Sequence, residues 1–129
     1  MEIVGSLFQS DVYQSSKKML DVTSVRHQAL ASNIANATTP GYKRVDISKT
    51  FEQELQRSIR GGKESEIASL KPTVEADPTV HTTRLDGNNV QIDQELLSLS
   101  SNATNYQALT QFVSGSLRQL RTAITGRSA

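Results

Sequence analysis

Catalysis in this chain would have to rest on its carboxylates and on two histidines. Cysteine is absent, and with it go disulfides, thiolate nucleophiles and sulfur metal ligands. His27 has no second histidine or carboxylate four residues away to make a metal pair, and His81 stands alone in a Thr-rich extended stretch. Glu64, Glu66, Asp77 and Asp86 are the carboxylates that general acid–base work would use. Such work needs them held in a shaped, water-poor pocket, and a polar linker is expected to leave them solvated. No phosphate-binding loop, dinucleotide fingerprint, nucleophile elbow or His-Glu-x-x-His helix occurs, and Gly61-Gly62 reads as a helix stop. Asn36-Ala37-Thr38 and Asn102-Ala103-Thr104 match glycosylation acceptors but fall on expected helices. The expectation is a protein that is not an enzyme, with no catalytic residue, no cofactor and no metal site.

Charge narrows the partners. Fourteen basic and 13 acidic residues leave a net charge of +1, far from the one-sided balance of a phosphate-reading protein, so no nucleic acid is expected. Residues 41 to 89 carry eight charges of each sign, and no segment is a charged tail. Only 36% of the 129 residues are apolar and tryptophan is absent, so the core of a single domain would be thin. Long helices that bury their stripes against neighbours suit such a chain better than a compact monomer does. No run approaches the roughly 18 apolar residues of a membrane span. The start, "MEIVGSLFQSD", lacks the basic region and long apolar core of a cleavable signal. If the protein leaves the cytoplasm, a different exporter is expected to carry it.

Two long helices must frame whatever site exists. From Ile92, steps of four and three reach Leu96, Leu99, Ala103, Tyr106, Thr110, Val113, Leu117, Leu120 and Ile124, with Thr110 the one polar interruption. That seam spans about 48 Å at 1.5 Å per residue. Asp93 and Glu95 lie in its first turn and Arg118, Arg121 and Arg127 near its end, as the helix dipole favours. The N-terminal segment has a broader stripe through Phe8, Val12, Met19, Val22 and Ala29 to Asn33 and Asn36, flanked by Leu20, Leu30, Ile34 and Ala37. The expected fold is mainly α, with long N- and C-terminal helices paired as a coiled-coil-like hairpin around a mixed middle. Residues 1–40 and 90–129 would form a discontinuous helical core and 41–89 an outer linker or arm. In that middle, Thr50 and Gln53 suggest a capping box for a short helix with Phe51, Leu55 and Ile59 on one face. "KESEIASLKPTVEADPT" reads as mobile, and Asp86-Gly87 as the turn of a small β-hairpin or extended arm.

The N-terminal helix ends abruptly in "LASNIANATTPGYKR". Pro40 bars Thr39 from helical geometry, and Gly41 can take the positive φ of a sharp turn. Tyr42 then lands past the corner, its ring free to pack back on the helix while the hydroxyl stays wet. Asn33 and Asn36 place amides along a seam where hydrophobes would bind more strongly, as expected of groups that bond backbone or fix register against a neighbouring helix.

This stretch resembles the N-terminal signature of the bacterial flagellar axial proteins, the rod and hook family, at Ala31, Ser32, Asn33, Ile34, Ala35, Asn36, Ala37, Thr39, Pro40, Gly41 and Tyr42. The far end is similar to that of the family's short proximal-rod members at Asp86-Gly87-Asn88, Val90, Asp93, Glu95, Asn105 to Leu109, and Leu120-Arg121 with Ile124. It lacks the Arg-x-Tyr-x-Ala-Asn pattern of the sister rod protein FlgC, and Gln91 stands where the family often has an acidic residue. The resemblance implies a structural subunit of the proximal rod of the flagellar basal body, part of a drive shaft that transmits torque and forms part of the export channel. It further implies packing through residues 31–42 and through the seam of Ile92, Leu96, Leu99, Tyr106, Val113, Leu117, Leu120 and Ile124. The implied partners are other copies of the chain, FlgC, the adaptor FliE, the membrane ring protein FliF and the flagellar type III export apparatus, and the implied location is the periplasmic rod. The alternatives are FlgC itself, or a soluble helical adaptor or chaperone that takes a partner helix in its seam.

Overall fold

The computed structural model describes residues 10–81 and 84–126; Phe8 and Arg127 lie outside that range. Ser10 opens helix α1 (Asp11–Ala35), its side-chain oxygen accepting the Tyr13 N–H at 3.3 Å. After the Pro40–Gly41 corner come strand β1 (Val45–Ile47), helix α2 (Lys49–Arg60), helix α3 (Glu64–Ser69) and strand β2 (Val74–Ala76). The 34-residue helix α4 (Ile92–Thr125) closes the chain, stopped by Gly126 at φ 63°.

Helices α1 and α4 pair antiparallel, as expected. Asn33 near the end of α1 meets Glu95 at the start of α4, the Thr23 carbonyl accepts from Asn102, and Tyr13 lies beside Leu120. The face that α4 turns inward differs from the expected seam. Leu120 is buried, Leu99 and Val113 are half-buried, and Ile92, Leu96, Tyr106, Leu117 and Ile124 are exposed. Alternate inward positions fall one residue earlier, at Glu95 and Asn102, because those two side chains find polar partners on α1. A hydrophobic period cannot register such partners.

The middle is more ordered than its composition suggests. β1 and β2 pair antiparallel with Val45 opposite Ala76 and Ile47 opposite Val74, and the Ser48–Thr73 and Asp77–Arg44 backbone bonds extend the ladder. The strand pair therefore flanks α2 and α3, while Asp86-Gly87 forms a turn with no strand beside it among the described residues. The stretch expected to be mobile holds α3, whose Ile67 is wholly buried, and β2. Lys18 of α1 fastens it, donating to the Ala68 and Leu70 carbonyls at 3.2 and 2.6 Å where a helix C-terminus attracts cations.

Helix α2 begins at Ser48, whose carbonyl accepts the Glu52 N–H, so the Thr50–Gln53 capping box does not form. Phe51 and Leu55 face inward as expected. Ser58, not Ile59, completes the buried stripe, with its hydroxyl 3.3 Å from Glu66. The core is the cluster of Val22, Ile47, Phe51, Leu55 and Ile67, lined by Val25 and Leu70. It joins the middle segment to α1, and α4 contributes none of its members. Each large side chain buried there stabilises the fold by about 1.5–3 kcal/mol.

Candidate functional site

The corner after α1 is built by residues from both ends of the chain. Gly41 takes φ 73° and Gly87 takes φ 75°, which only glycine adopts without strain. The two turns touch: a Cβ on Gly87 would sit 3.7 Å from the Gly41 Cα, and the Gly41 N–H donates to the Asp86 carbonyl at 2.7 Å. Asn88, wholly buried, donates its amide to the Asn36 and Thr39 carbonyls, both at 2.9 Å. Arg84 donates to the Ala37 carbonyl at 2.9 Å, and Lys43 to that of Gly87 at 2.6 Å. Carbonyls of the turns just beyond α1 are thus bonded by a segment some fifty positions away, 52 in the case of Asn88 and Asn36.

Asn33 uses its whole amide within the chain. Its Nδ2 donates to the Val45 carbonyl at 2.8 Å and to Glu95 at 3.0 Å, and its Oδ1 accepts from the Val45 N–H at 2.9 Å and the Tyr42 hydroxyl at 3.1 Å. Asn36 donates to the Ser32 carbonyl and accepts from the Thr39 hydroxyl. These amides therefore bond partners within the chain, Glu95 of the neighbouring helix α4 among them, and no second subunit is needed to satisfy them. The Tyr42 hydroxyl is likewise engaged, with Asn33 and Ser32, where the sequence suggested a wet one. Ala31, Ser32, Thr39, Pro40 and Gly41 are exposed and Ile34 is half-buried.

Beside the corner lies a charged cluster around Arg44. Its guanidinium donates to Glu95 of α4, to Asp46 of β1 at 2.9 Å and to Asp77 beyond β2 at 2.7 Å. Arg26 of α1 grips Asp46 with two bonds, at 2.9 and 3.1 Å, and Asn89 accepts the Arg44 N–H at 2.6 Å. Burial alone would lower the Arg44 pKa, but its bonds to Glu95 and Asp46 more than offset that and raise it. Burial likewise pushes the Asp46 carboxyl up, and Arg26, the Ile47 N–H and Arg44 together bring it below its ordinary value. Asp77 is also held low, by bonds from the Thr79 hydroxyl and N–H and by the charges of Arg44 and Lys49, against its own burial. Since both carboxyls are lower in the folded chain, their stabilisation is present above the ordinary value of about 4 and is lost as pH falls through the folded values.

The carboxylates weighed for catalysis are placed apart. Glu66 is exposed, paired with Lys63 at 2.9 Å; Asp86 pairs with Arg84 at 2.7 Å; and Asp77 belongs to the Arg44 cluster. Among the described residues no three His, Cys, Asp or Glu side chains gather as a metal would require, and no helix is long and apolar enough to cross a membrane.

A model of the flagella basal body rod protein family matches residues 20–43, the second half of α1 together with the corner. Over nearly its whole length, 94% of this chain against 98% of the relative, the sequence is 31% identical to the flagellar basal body rod protein FlgB of Bacillus subtilis (strain 168). The chain belongs to the FlgB family. It is also 35% identical to the FlgB of Borrelia hermsii, covering 72% of this chain and 80% of that one. With the FlgB of Escherichia coli (strain K12) the identity is 30%, over 79% and 84%.

In this FlgB-family chain the two terminal motifs form one site, since Asn33, Asn36, Gly41 and Tyr42 meet Asp86, Gly87, Asn88 and Glu95 within hydrogen-bond chains. Sequence reasoning missed Arg44, Asp46, Arg26 and Asn89. Arg44-Val45-Asp46-Ile47 does alternate charged with apolar, which places Arg44 and Asp46 on one strand face and Ile47 toward the core. Gln91 is the N-cap of α4 and makes no side-chain capping bond.

Proposed function

We propose that this chain is a structural, non-enzymatic subunit of the proximal rod of the flagellar basal body. It joins other copies of itself and other rod proteins in the shaft that transmits torque and encloses part of the export channel. FlgC, FliE and the membrane ring protein FliF are the partners of this reading, the periplasmic rod is its location, and the flagellar type III apparatus is its exporter.

Family membership supports it, and one observation carries it: α4 turns Ile92, Leu96, Leu97, Tyr106, Phe112, Leu117 and Ile124 to solvent while spending Glu95 and Asn102 on α1. A helix that places two polar side chains in the intrachain contact and leaves this many large hydrophobes outside is arranged for neighbours.

The double substitution Leu96→Asp and Leu117→Asp changes exposed positions only. The isolated chain is expected to keep its helical circular dichroism, while incorporation into purified basal bodies is lost in a strain where it replaces the native rod subunit. Full incorporation and normal swimming would overturn the reading.

A further inference from the structure

Asp46 occupies an unusual position, between two arginines that come from different parts of the fold. Arg26 of α1 and Arg44, just before β1, both donate to its Oδ2, at 3.1 and 2.9 Å, so the two donor nitrogens are no farther apart than about 6 Å. The side chain of Asp46 is only 11% exposed, so water does little to screen that approach. The other charged groups facing the cluster are Glu95 of α4, Asp77 beyond β2 and Lys49 of α2; Asn33, Asn89, Gln91, Gln94 and Ser98 complete its surroundings. Glu95 and Asp77 both bond Arg44 and neither bonds Arg26, so among the described residues Asp46 is the anion that bonds both cations. Arg26 is 38% exposed and borders a second groove with Leu97, Ser98, Ser101 and Asn105, so it has somewhere to swing.

We propose that Asp46 is an acid-released tie: when its carboxylate is neutralised, Arg26 and Arg44 repel, and the β1–β2 end of the middle segment parts from α1 while the α1–α4 pair stays docked. The helix pair survives because its own bonds, Asn102 to Thr23 and Asn33 to Glu95, do not pass through Asp46. The apolar cluster of Val22, Phe51, Leu55 and Ile67 keeps α2 and α3 on α1, so the opening is local to residues 43–48 and 74–78 and draws only Ile47 out of that cluster. The device is independent of the rod assignment.

Hydrogen exchange on the full chain, corrected for intrinsic rate and followed from pH 7 to pH 3, tests it. Peptides covering 43–48 and 74–78 are expected to lose protection at higher pH than those covering 94–106. Asp46→Asn should bring that opening to pH 7, speeding exchange there by roughly a hundredfold. Arg26→Gln should remove the pH step, and the double variant Asp46→Asn/Arg26→Gln should recover protection relative to Asp46→Asn alone, because the repulsion is gone. A tie that is merely structural gives no such recovery. One coincident loss of protection across the chain, a pH step that persists in Arg26→Gln, or a double variant no better protected than the single would each overturn the proposal.

Discussion

Helix α1 is gripped on two sides by opposite chemistries. Toward the middle segment it offers Val22 and Val25 to Ile47, Phe51, Leu55 and Ile67, a contact whose centre is apolar and whose rim is bonded by Lys18, Arg26 and Asn33. Toward α4 it offers the Thr23 carbonyl and the Asn33 amide, answered by Asn102 and Glu95, and two of the three buried side chains of α4 are these polar ones. Apolar burial contributes most of the free energy but tolerates sliding, whereas a buried amide accepts one partner geometry and so fixes register at a cost in stability. The middle segment is held by strength and α4 by register. That division leaves Leu96, Leu97, Leu117 and the aromatics Tyr106 and Phe112 of α4 free for surfaces outside the chain.

The sharpest way to break the comparison is to remove the group where the two contacts join. Arg44→Met leaves Asp46, Asp77 and Glu95 gathered without their shared cation, and is expected to cost about 3–5 kcal/mol in urea denaturation. It should weaken protection of α4 and of the strand pair together. Leu55→Ala acts on the apolar side alone. It should cost about 3 kcal/mol through transfer and cavity terms, and reduce hydrogen-exchange protection in α2 and α3 before α4. If Leu55→Ala loosens α4 first, the two contacts are not separable as described.

Much of this was legible in the residues, for reasons that differ from place to place. The corner could be read because Pro40 and Gly41 act through local backbone sterics, which need no tertiary context. The long helices could be read because their periods run for many turns. The strand pair could not: each strand has three residues, and Val74–Ala76 is exposed throughout, so no alternation marks it. The Arg44 cluster was hidden because its partners lie 33 and 51 positions away, at Asp77 and Glu95, and a charged side chain by itself looks solvated. The inward face of α4 was misjudged at Glu95 and Asn102 for the same reason, since hydrophobic periodicity assigns polar residues to the outside.

Sharpening the register side of the comparison calls for a smaller change. Gln91 caps α4 with its backbone only, and Asp at that position would accept an N–H of the first turn and favour the helix dipole. Gln91→Asp is expected to stabilise the chain by about 1 kcal/mol. The gain should appear as slower exchange in the first turns of α4 and leave the apolar cluster unchanged. An equal gain in α2 would mean that α4 and the middle segment melt as one unit.

The smallest effect concerns the outer face of α4. Gly115 lies inside that helix, and a Cβ built there meets nothing within 4 Å. Among the described residues nothing requires glycine at this point, since it takes neither a positive φ nor a close approach to another part of the chain. Gly115→Ala should therefore stabilise the isolated chain by about 0.5–1 kcal/mol, raising its melting temperature by roughly 2–4 °C. If α4 keeps its outer face for neighbours, the missing Cβ is room for an adjoining subunit, and the same substitution should reduce incorporation into basal bodies. A gain in stability with a loss of assembly separates what α4 does for its own chain from what it does for the next. A stabilised variant that assembles as well as the native chain would assign the glycine to neither contact.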